Sequence, residues 1–445
     1  MLKIAPGLPA RLLKFALAGL VCLSFQSLAA PLQLQINGSN TIGAQLAPLL
    51  VEGMLKESGA TDIDIQLDAE PQEHRITAVS ALGEPIEISL NAHGSTTGFT
   101  GLIDGTGQIA AASRPIKDSE VEALKDAGDM LSKEAEQIIG LDGLAVIVHP
   151  DSPLDILNVE QIAQIFSGQV TDWAQFGGQQ GKIRVHARDS NSGTWETFRD
   201  LVLKPRQLDL QADTQRYESN ADLSRAVSSD RNAVGFVGLA YIQQAKALAI
   251  TAGESRPMYP SKALVATEDY PLARRLYMYI SPEETNPLAL ALIAFTQSEA
   301  GQDIVDQVGF VGQNITTGQI APQPYMPDEY RKLAEEARRL SVNIRFREGS
   351  ARLDNKAWQD IDRLLEYLQA ENKTERKVTL VGFGDPRSRG AELLSRLRAR
   401  TVSAALAGRG IFVKDVIGIG DDLPVAANTH HDGRHKNRRV ELWVY

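Results

Sequence analysis

Four times between Leu32 and Thr194, a short apolar run with strand-like alternation ends in a turn rich in Gly, Ser or Thr and passes into a helical stretch. The first joins residues 32–36 through Gly38-Ser39-Asn40-Thr41 to an amphipathic run over 44–57. The second joins residues 86–90 through Gly94-Ser95-Thr96-Thr97-Gly98 to a second helix. The third joins residues 109–112 through Ser113-Arg114-Pro115 to a helix over 119–127. The fourth joins residues 183–187 to Arg188-Asp189-Ser190-Asn191-Ser192-Gly193-Thr194, which opens a helix at Trp195. This alternation of strand and helix specifies an α/β fold. In open α/β sheets ligands bind at the carboxyl ends of the strands, where helix N-termini converge.

Such a set of loops suits a small oxyanion. Backbone N–H groups at helix starts point outward, and the positive helix end favours negative charge. In the fourth loop Arg188 adds a planar fork matched to oxyanion geometry, Ser192 and Thr194 add hydroxyls, and Gly193 lets the backbone approach closely. Each loop alone also fits an ordinary Ser/Thr helix cap. Their recurrence, together with Arg114 and Arg188, makes an oxyanion site the leading expectation.

The charge distribution separates two units. The chain carries a formal net charge of -10. Residues 341–445 carry a net +5, and residues 30–340 about -18. So acidic a region excludes nucleic acid as its partner. Long-range attraction cannot draw an anion to it, so affinity must come from local dipoles and hydrogen bonds. Residues 1–29 read as a secretory signal: Lys3, Arg11 and Lys14 are basic, residues 15–25 are apolar, and Ser27-Leu28-Ala29 fits a cleavage site. The single cysteine, Cys22, lies within that leader, so the exported chain is expected to contain neither disulfide nor reactive thiol, which suits a periplasm. No lipid anchor is expected.

Residues 32–312 resemble the periplasmic phosphate-binding proteins of ABC uptake systems. The resemblance rests on Ile36-Asn37-Gly38-Ser39, Gly94-Ser95-Thr96-Thr97-Gly98, Ala112-Ser113-Arg114-Pro115-Ile116 and Arg188 through Thr194. It extends to Ile162-Ala163-Gln164-Ile165-Phe166-Ser167-Gly168 with Trp173, to Val234-Gly235-Phe236-Val237, and to Ser298-Glu299-Ala300-Gly301-Gln302. It implies a two-lobed periplasmic binding protein fold, type II-like, that closes on inorganic phosphate or a similar tetrahedral oxyanion such as sulfate, with an ABC permease as a partner. The site residues it implies are Ser39, Thr41 and Ile42 from the first loop and Ser95 and Thr96 from the second. Ser113 and Arg114 come from the third, and Arg188, Ser192, Gly193 and Thr194 from the fourth. Some members carry an acidic residue just after the serine of the third loop, where it accepts the proton of hydrogen phosphate; here that place holds Arg114, which only donates, and Asp189 is the candidate acceptor in its stead.

Residues 313–328, with Pro322, Pro324 and Pro327, read as a linker, and 329–340 as a charged helix. Beyond, strands at 342–346, 378–382, 416–419 and 438–444 alternate with helices at 356–369 and 391–407. The order predicts a small α+β unit with helices on one face and with His430, His431 and His435 in a loop. It resembles the OmpA-like peptidoglycan-binding module through the run Gly433 to Glu441, through Leu394-Ser395-Arg396-Leu397-Arg398-Ala399, and through Pro424 to Asn428. The resemblance implies that Asp385 pairs with the ammonium, and Arg398 with the carboxylate, of diaminopimelate in the wall peptide. The expected domains are thus 1–29, 30–312, 313–340 and 341–445, and the expected location is the periplasm, against peptidoglycan and the outer membrane. No cofactor, metal or catalytic activity is expected, since no Gly-x-Ser-x-Gly elbow or metal-ligand spacing is present. A phosphoester hydrolase using Ser192, and a wall-associated scaffold with a degenerate anion site, are the alternatives.

Overall fold

The computed structural model describes residues 31–67, 72–177, 180–347, 350, 352–384, 390–427 and 431–445. The leader with Cys22, Asp385 and His430 lie outside the described residues. In chain order the strands of the first half are β1 (Leu32–Gly38), β2 (Thr61–Leu67), β3 (Glu73–Val79), β4 (Pro85–Asn91), β5 (Ile109–Ala112) and β6 (Glu136–Val148). There follow β7 (Ile156–Asn158), β8 (Arg184–Arg188), β9 (Gln215–Tyr217), β10 (Ala233–Gly238), β11 (Lys246–Ala247), β12 (Ala249–Thr251) and β13 (Ala273–Tyr279).

Most of these strands form one continuous sheet in the order β2-β3-β4-β1-β5-β13-β6-β10-β8-β9. Its two ends are the sheets of two lobes. In the first lobe β4, β1 and β5 run parallel, and in the second β10, β8 and β9 do. The middle is antiparallel, because β6 and β13 pass between the lobes. The early half of β6 pairs with β13, and its late half, Leu144–Val148, pairs with β10. With 13 residues, buried throughout apart from its first, β6 is an apolar run long enough to serve both cores.

Two large cores fill the lobes. Ile36, Leu50, Ile88 and Ile109 are sealed in one, which runs on into Ile147, Leu223, Val227 and Val237 of the second lobe; Ile162, Phe166, Phe198 and Phe236 are sealed in the other. Each such side chain stabilises its lobe by about 1.5–3 kcal/mol. The strand–turn–helix units form as expected, with small shifts: the first long helix begins at Leu46, and the third loop leads to a helix over Asp118–Ala123 with a 3-10 turn after it. Gly38 shows why the first turn needs glycine. Its φ is +138°, and a Cβ there would sit 2.0 Å from the Ala111 carbonyl oxygen.

The C-terminal unit adds β14 (Thr317–Gly318), β15 (Arg338–Ile344), β16 (Val378–Phe383), β17 (Asp415–Gly420) and β18 (Val440–Val444), ordered β14-β15-β18-β16-β17. Helices Asn355–Ala370 and Ala391–Ala407 cover one face through Ile361, Leu364, Val402 and Leu406. Three expectations are corrected. The charged helix ends at Glu336, and Arg338–Leu340 already belongs to β15. That helix, Asp328–Glu336, covers the opposite face of the sheet, where Tyr330 and Leu333 pack on Phe383 and Trp443, so the sheet has helices on both sides. Finally His431–Asn437, expected as a loop, is helical. No helix among the described residues is long and apolar enough to cross a membrane.

Candidate functional site

The four loops meet where the two lobes face each other. From the first lobe, Ser39 Oγ donates to Ser113 Oγ at 3.1 Å, and Ser95 Oγ lies 3.4 Å from Ser113 Oγ while accepting the Ser113 N–H at 3.0 Å. From across the cleft, Thr194 Oγ1 lies 2.9 Å from Thr41 Oγ1. These hydroxyls are all buried, as are Ile42, Ser192 and Gly193. Ser192 caps its helix, its Oγ accepting the N–H groups of Thr194 and Trp195 at 3.2 and 3.4 Å. Gly193 is seated against the first lobe: a Cβ there would stand 2.1 Å from Ser95 Oγ and 2.5 Å from Ser113 Oγ. A side chain larger than hydrogen fits that contact only if the lobes part or the two hydroxyls turn away.

Arg188 lies at the end of β8, 1 % exposed. Its Nε donates to the Tyr217 carbonyl at 3.1 Å and its Nη2 to that of Glu218, while its buried Nη1 has no partner. Asp189 is 3.7 Å away. Burial pulls the Arg188 guanidinium down to about 10; Asp189 opposes that shift and the charge of Arg274 adds to it. The residue is still a cation at neutral pH. An unpartnered N–H on a buried cation costs about 1–3 kcal/mol or more, and an anion would recover it.

Two expected residues are placed differently from the rest. Arg114 turns away from the hydroxyls. Its guanidinium is held by Glu196 and, at 2.6 and 2.8 Å, by Glu120, and it lies over the Phe99 ring. Glu120 of the next helix and Glu196 of the second lobe give its guanidinium the negative partners that an oxyanion would otherwise be. Thr96 follows Ser95 on its helix and is half-buried, beside the buried cluster. In the C-terminal unit, Arg398 Nη1 approaches the Phe383 carbonyl at 3.4 Å, next to the strand end from which the chain runs towards Asp385.

A second arginine enters the site that the loop pattern does not reveal. Arg274, on β13, donates from Nη1 to Thr194 Oγ1 at 2.9 Å and from Nη2 to Thr41 Oγ1 at 3.5 Å. Asp142, on β6, accepts from its Nε and Nη2 at 3.0 and 2.7 Å. Asn220 reaches Thr41 Oγ1 at 3.4 Å and Tyr241 OH donates to the Thr41 carbonyl at 3.3 Å. The signal in the sequence is a charge inside an apolar strand, Asp142 within residues 138–148 and Arg274 within 272–280. Two guanidiniums thus share one buried place with a single fully buried carboxylate, a balance that favours an added anion. Among the described residues no group of three or more His, Cys, Asp or Glu side chains forms a metal site.

A model of the PBP superfamily domain matches residues 72–300, about half of the chain. The chain belongs to that superfamily. A model of the OmpA family matches residues 345–438, so the C-terminal unit is an OmpA-family domain. The phosphate-binding protein PstS of Borreliella burgdorferi is 25 % identical over 266 residues, 59 % of this chain and 90 % of that protein. PstS of Staphylococcus aureus is 26 % identical over 296 residues, 62 % and 87 % of the two chains. Among solved structures, a putative phosphate ABC transporter substrate-binding protein with bound phosphate, from Clostridium perfringens, matches with a TM-score of 0.50 at 24 % identity. It covers 63 % of this chain and 99 % of its own, and establishes the two-lobed fold. These relatives align with the binding domain and leave the OmpA-family domain as an addition.

Proposed function

We propose that residues 30–312 capture inorganic phosphate between the two lobes, and that the OmpA-family domain tethers them to peptidoglycan in the bacterial envelope. The observation that carries the first half is Arg188: a buried cation with an unpartnered Nη1, beside a second guanidinium and a ring of buried hydroxyls. Ser39, Thr41, Ser95, Ser113 and Thr194 can donate to phosphate oxygens, and each can also accept the proton of hydrogen phosphate. Gly193 and the N–H groups of the loop approach from the second lobe, and Arg274, aligned by Asp142, supplies the charge between them. Arg114 serves instead to join the third loop to Glu196. Closing would bring the hydroxyls of one lobe to the guanidinium of the other, with β6 and β13 as the flexing strands. A leader over residues 1–29 would deliver the chain to the periplasm.

Tethering makes the protein a poor free shuttle to an inner-membrane permease. The reading is therefore scavenging, storage or sensing of phosphate close to the wall, without catalysis. Equilibrium dialysis against labelled phosphate tests the capture half: one bound anion per chain, lost in Arg188→Ala, is expected. Sedimentation with isolated murein tests the other half. Wild type should pellet with the sacculi and Arg398→Ala should stay in solution; a wild-type protein that remains soluble would remove the tether.

A further inference from the structure

The OmpA-family domain does not hang from the binding domain as a separate bead. It sits across the back of both lobes, on the two strands that join them. On the first-lobe side, Asn355 Nδ2 donates to the Leu131 carbonyl at 3.1 Å and to Glu136 Oε1 at 3.2 Å, and Arg363 reaches Gln297 Oε1 at 2.6 Å and Gln313 Oε1 at 3.3 Å. On the second-lobe side, Arg339 pairs with Asp269 at 2.7 Å and Arg345 with Glu268 at 3.2 Å, and Lys436 Nζ donates to the carbonyls of Tyr270, Pro271 and Ala273.

The join is made of buried charge. Glu268 and Asp269 are 8 % and 2 % exposed, and Glu268 holds a φ of +55°, a conformation that a non-glycine residue keeps only when its surroundings enforce it. Burial would raise the Glu268 carboxyl, but Arg275 and Arg345 outweigh it and hold the group well below the usual carboxylate range. Ion pairs of this kind break only at high cost once one partner leaves.

Strand β13 carries the connection to the site. Successive side chains on a strand point to opposite faces. Arg274 faces the hydroxyls of the cleft, and Arg275, the next residue, faces the other way to Glu268 at 2.7 Å and to Asp354 at 2.8 Å, the residue that caps the helix Asn355–Ala370 of the OmpA-family domain. Any rotation of one lobe against the other about β6 and β13 would move the Leu131–Gln137 segment relative to the Thr267–Ala273 segment. A domain bonded to both must give up one set of contacts.

We propose that the OmpA-family domain is a clasp across the joint between the lobes, holding the cleft closed while it is docked, so that opening the cleft and undocking the domain are linked events. The clasp concerns the lobes themselves and stands on contacts outside the anion site; its kinetic consequence rests on the phosphate reading. By linkage, whatever draws the docked face of the domain away from the lobes eases release of the captured anion, and a captured anion strengthens docking.

The test measures the lobes directly. A chain lacking the first 30 residues has no cysteine, so Leu82→Cys in the first lobe and Asp213→Cys in the second, both well exposed, take a dye pair for energy transfer. Dialysed wild type is expected to show one short distance that phosphate leaves unchanged. Asn355→Ala combined with Arg363→Ala, which removes four hydrogen bonds to the first-lobe side and leaves the second-lobe ion pairs in place, is expected to move to a longer distance that phosphate shortens, and to release phosphate at least about tenfold faster, the effect of losing a few hydrogen bonds. Dialysed wild type that shows a long distance which added phosphate shortens would overturn the clasp, a result that needs no variant to read. A closed wild type and an open variant, neither responding to phosphate, would uphold the clasp and sink the phosphate reading instead.

Discussion

Gly193→Ala is the most exacting test of the cleft geometry, because it adds one methyl group at the point where the lobes touch. The new carbon would stand 2.1 Å from Ser95 Oγ and 2.5 Å from Ser113 Oγ, well inside the 3.4 Å at which ordinary contact begins. Either the lobes part or both hydroxyls swing away from the anion. Overpacking of a tight contact costs about 1–3 kcal/mol. At 1.4 kcal/mol per tenfold, phosphate should bind about 5- to 150-fold more weakly. Local backbone preference works in the other direction. Gly193 opens the helix Gly193–Phe198 with no positive φ, and alanine is favoured over glycine within helices by about 1 kcal/mol. A loss of affinity would therefore come from the inter-lobe contact and from no helix defect. Equilibrium dialysis with labelled phosphate, beside a thermal melt to confirm folding, reads the effect. A folded Gly193→Ala protein with affinity within about twofold of wild type would refute the closed geometry on which the site is built.

Three further outcomes are expected. Asp142→Ala leaves Arg274 buried without its carboxylate and should destabilise the fold by about 3–5 kcal/mol, with phosphate raising the melting temperature more than in wild type because the anion replaces the lost charge; equal shifts would separate Arg274 from the anion site. His93 bridges Glu73 of the first lobe at 3.0 Å and Glu218 of the second at 2.9 Å; burial lowers its pKa, but the hydrogen bonds to Glu218 and Glu73 outweigh burial and raise it. Its contribution to closure is thus full below the ordinary histidine value of 6.5 and is lost as pH rises through the raised value, so the affinity of wild type relative to His93→Gln should fall between pH 6 and pH 8; a constant ratio would remove the bridge. Arg114→Lys keeps charge but loses the fork that holds Glu120 and Glu196, so it should lower the melting temperature while leaving phosphate bound; abolished binding in a protein of wild-type stability would return Arg114 to the anion site.

The parts of this fold written into local sequence were legible. A strand ending in Gly38-Ser39 or Gly94-Ser95 is a local pattern, and so are the helical stripe of residues 356–369 and the Arg188 loop. The parts that depend on partners distant in the chain were not. Arg274 and Asp142 are 132 residues apart, and nothing near either marks it as one half of a pair. Arg114 read as a ligand because it follows Ser113, yet Glu196, far along the chain, claims it. Residues 431–437 carry Gly433 and three histidine or lysine side chains and no apolar stripe, so their helix has no periodic signature; it is held where it is by contacts such as His435 with the Phe346 carbonyl at 2.8 Å and Lys436 with the second lobe. The docking of the two domains is likewise a matter of Glu268, Asp269 and their arginines, which in sequence look like ordinary surface charge.

Calorimetric titration of the dialysed protein with inorganic phosphate, repeated with Arg188→Ala, tests the central claim most directly. The account predicts saturable heat at one anion per chain in the wild-type protein and its loss in the variant. No heat from a folded wild-type sample freed of carried-over ligand, or unchanged binding in Arg188→Ala, would contradict it.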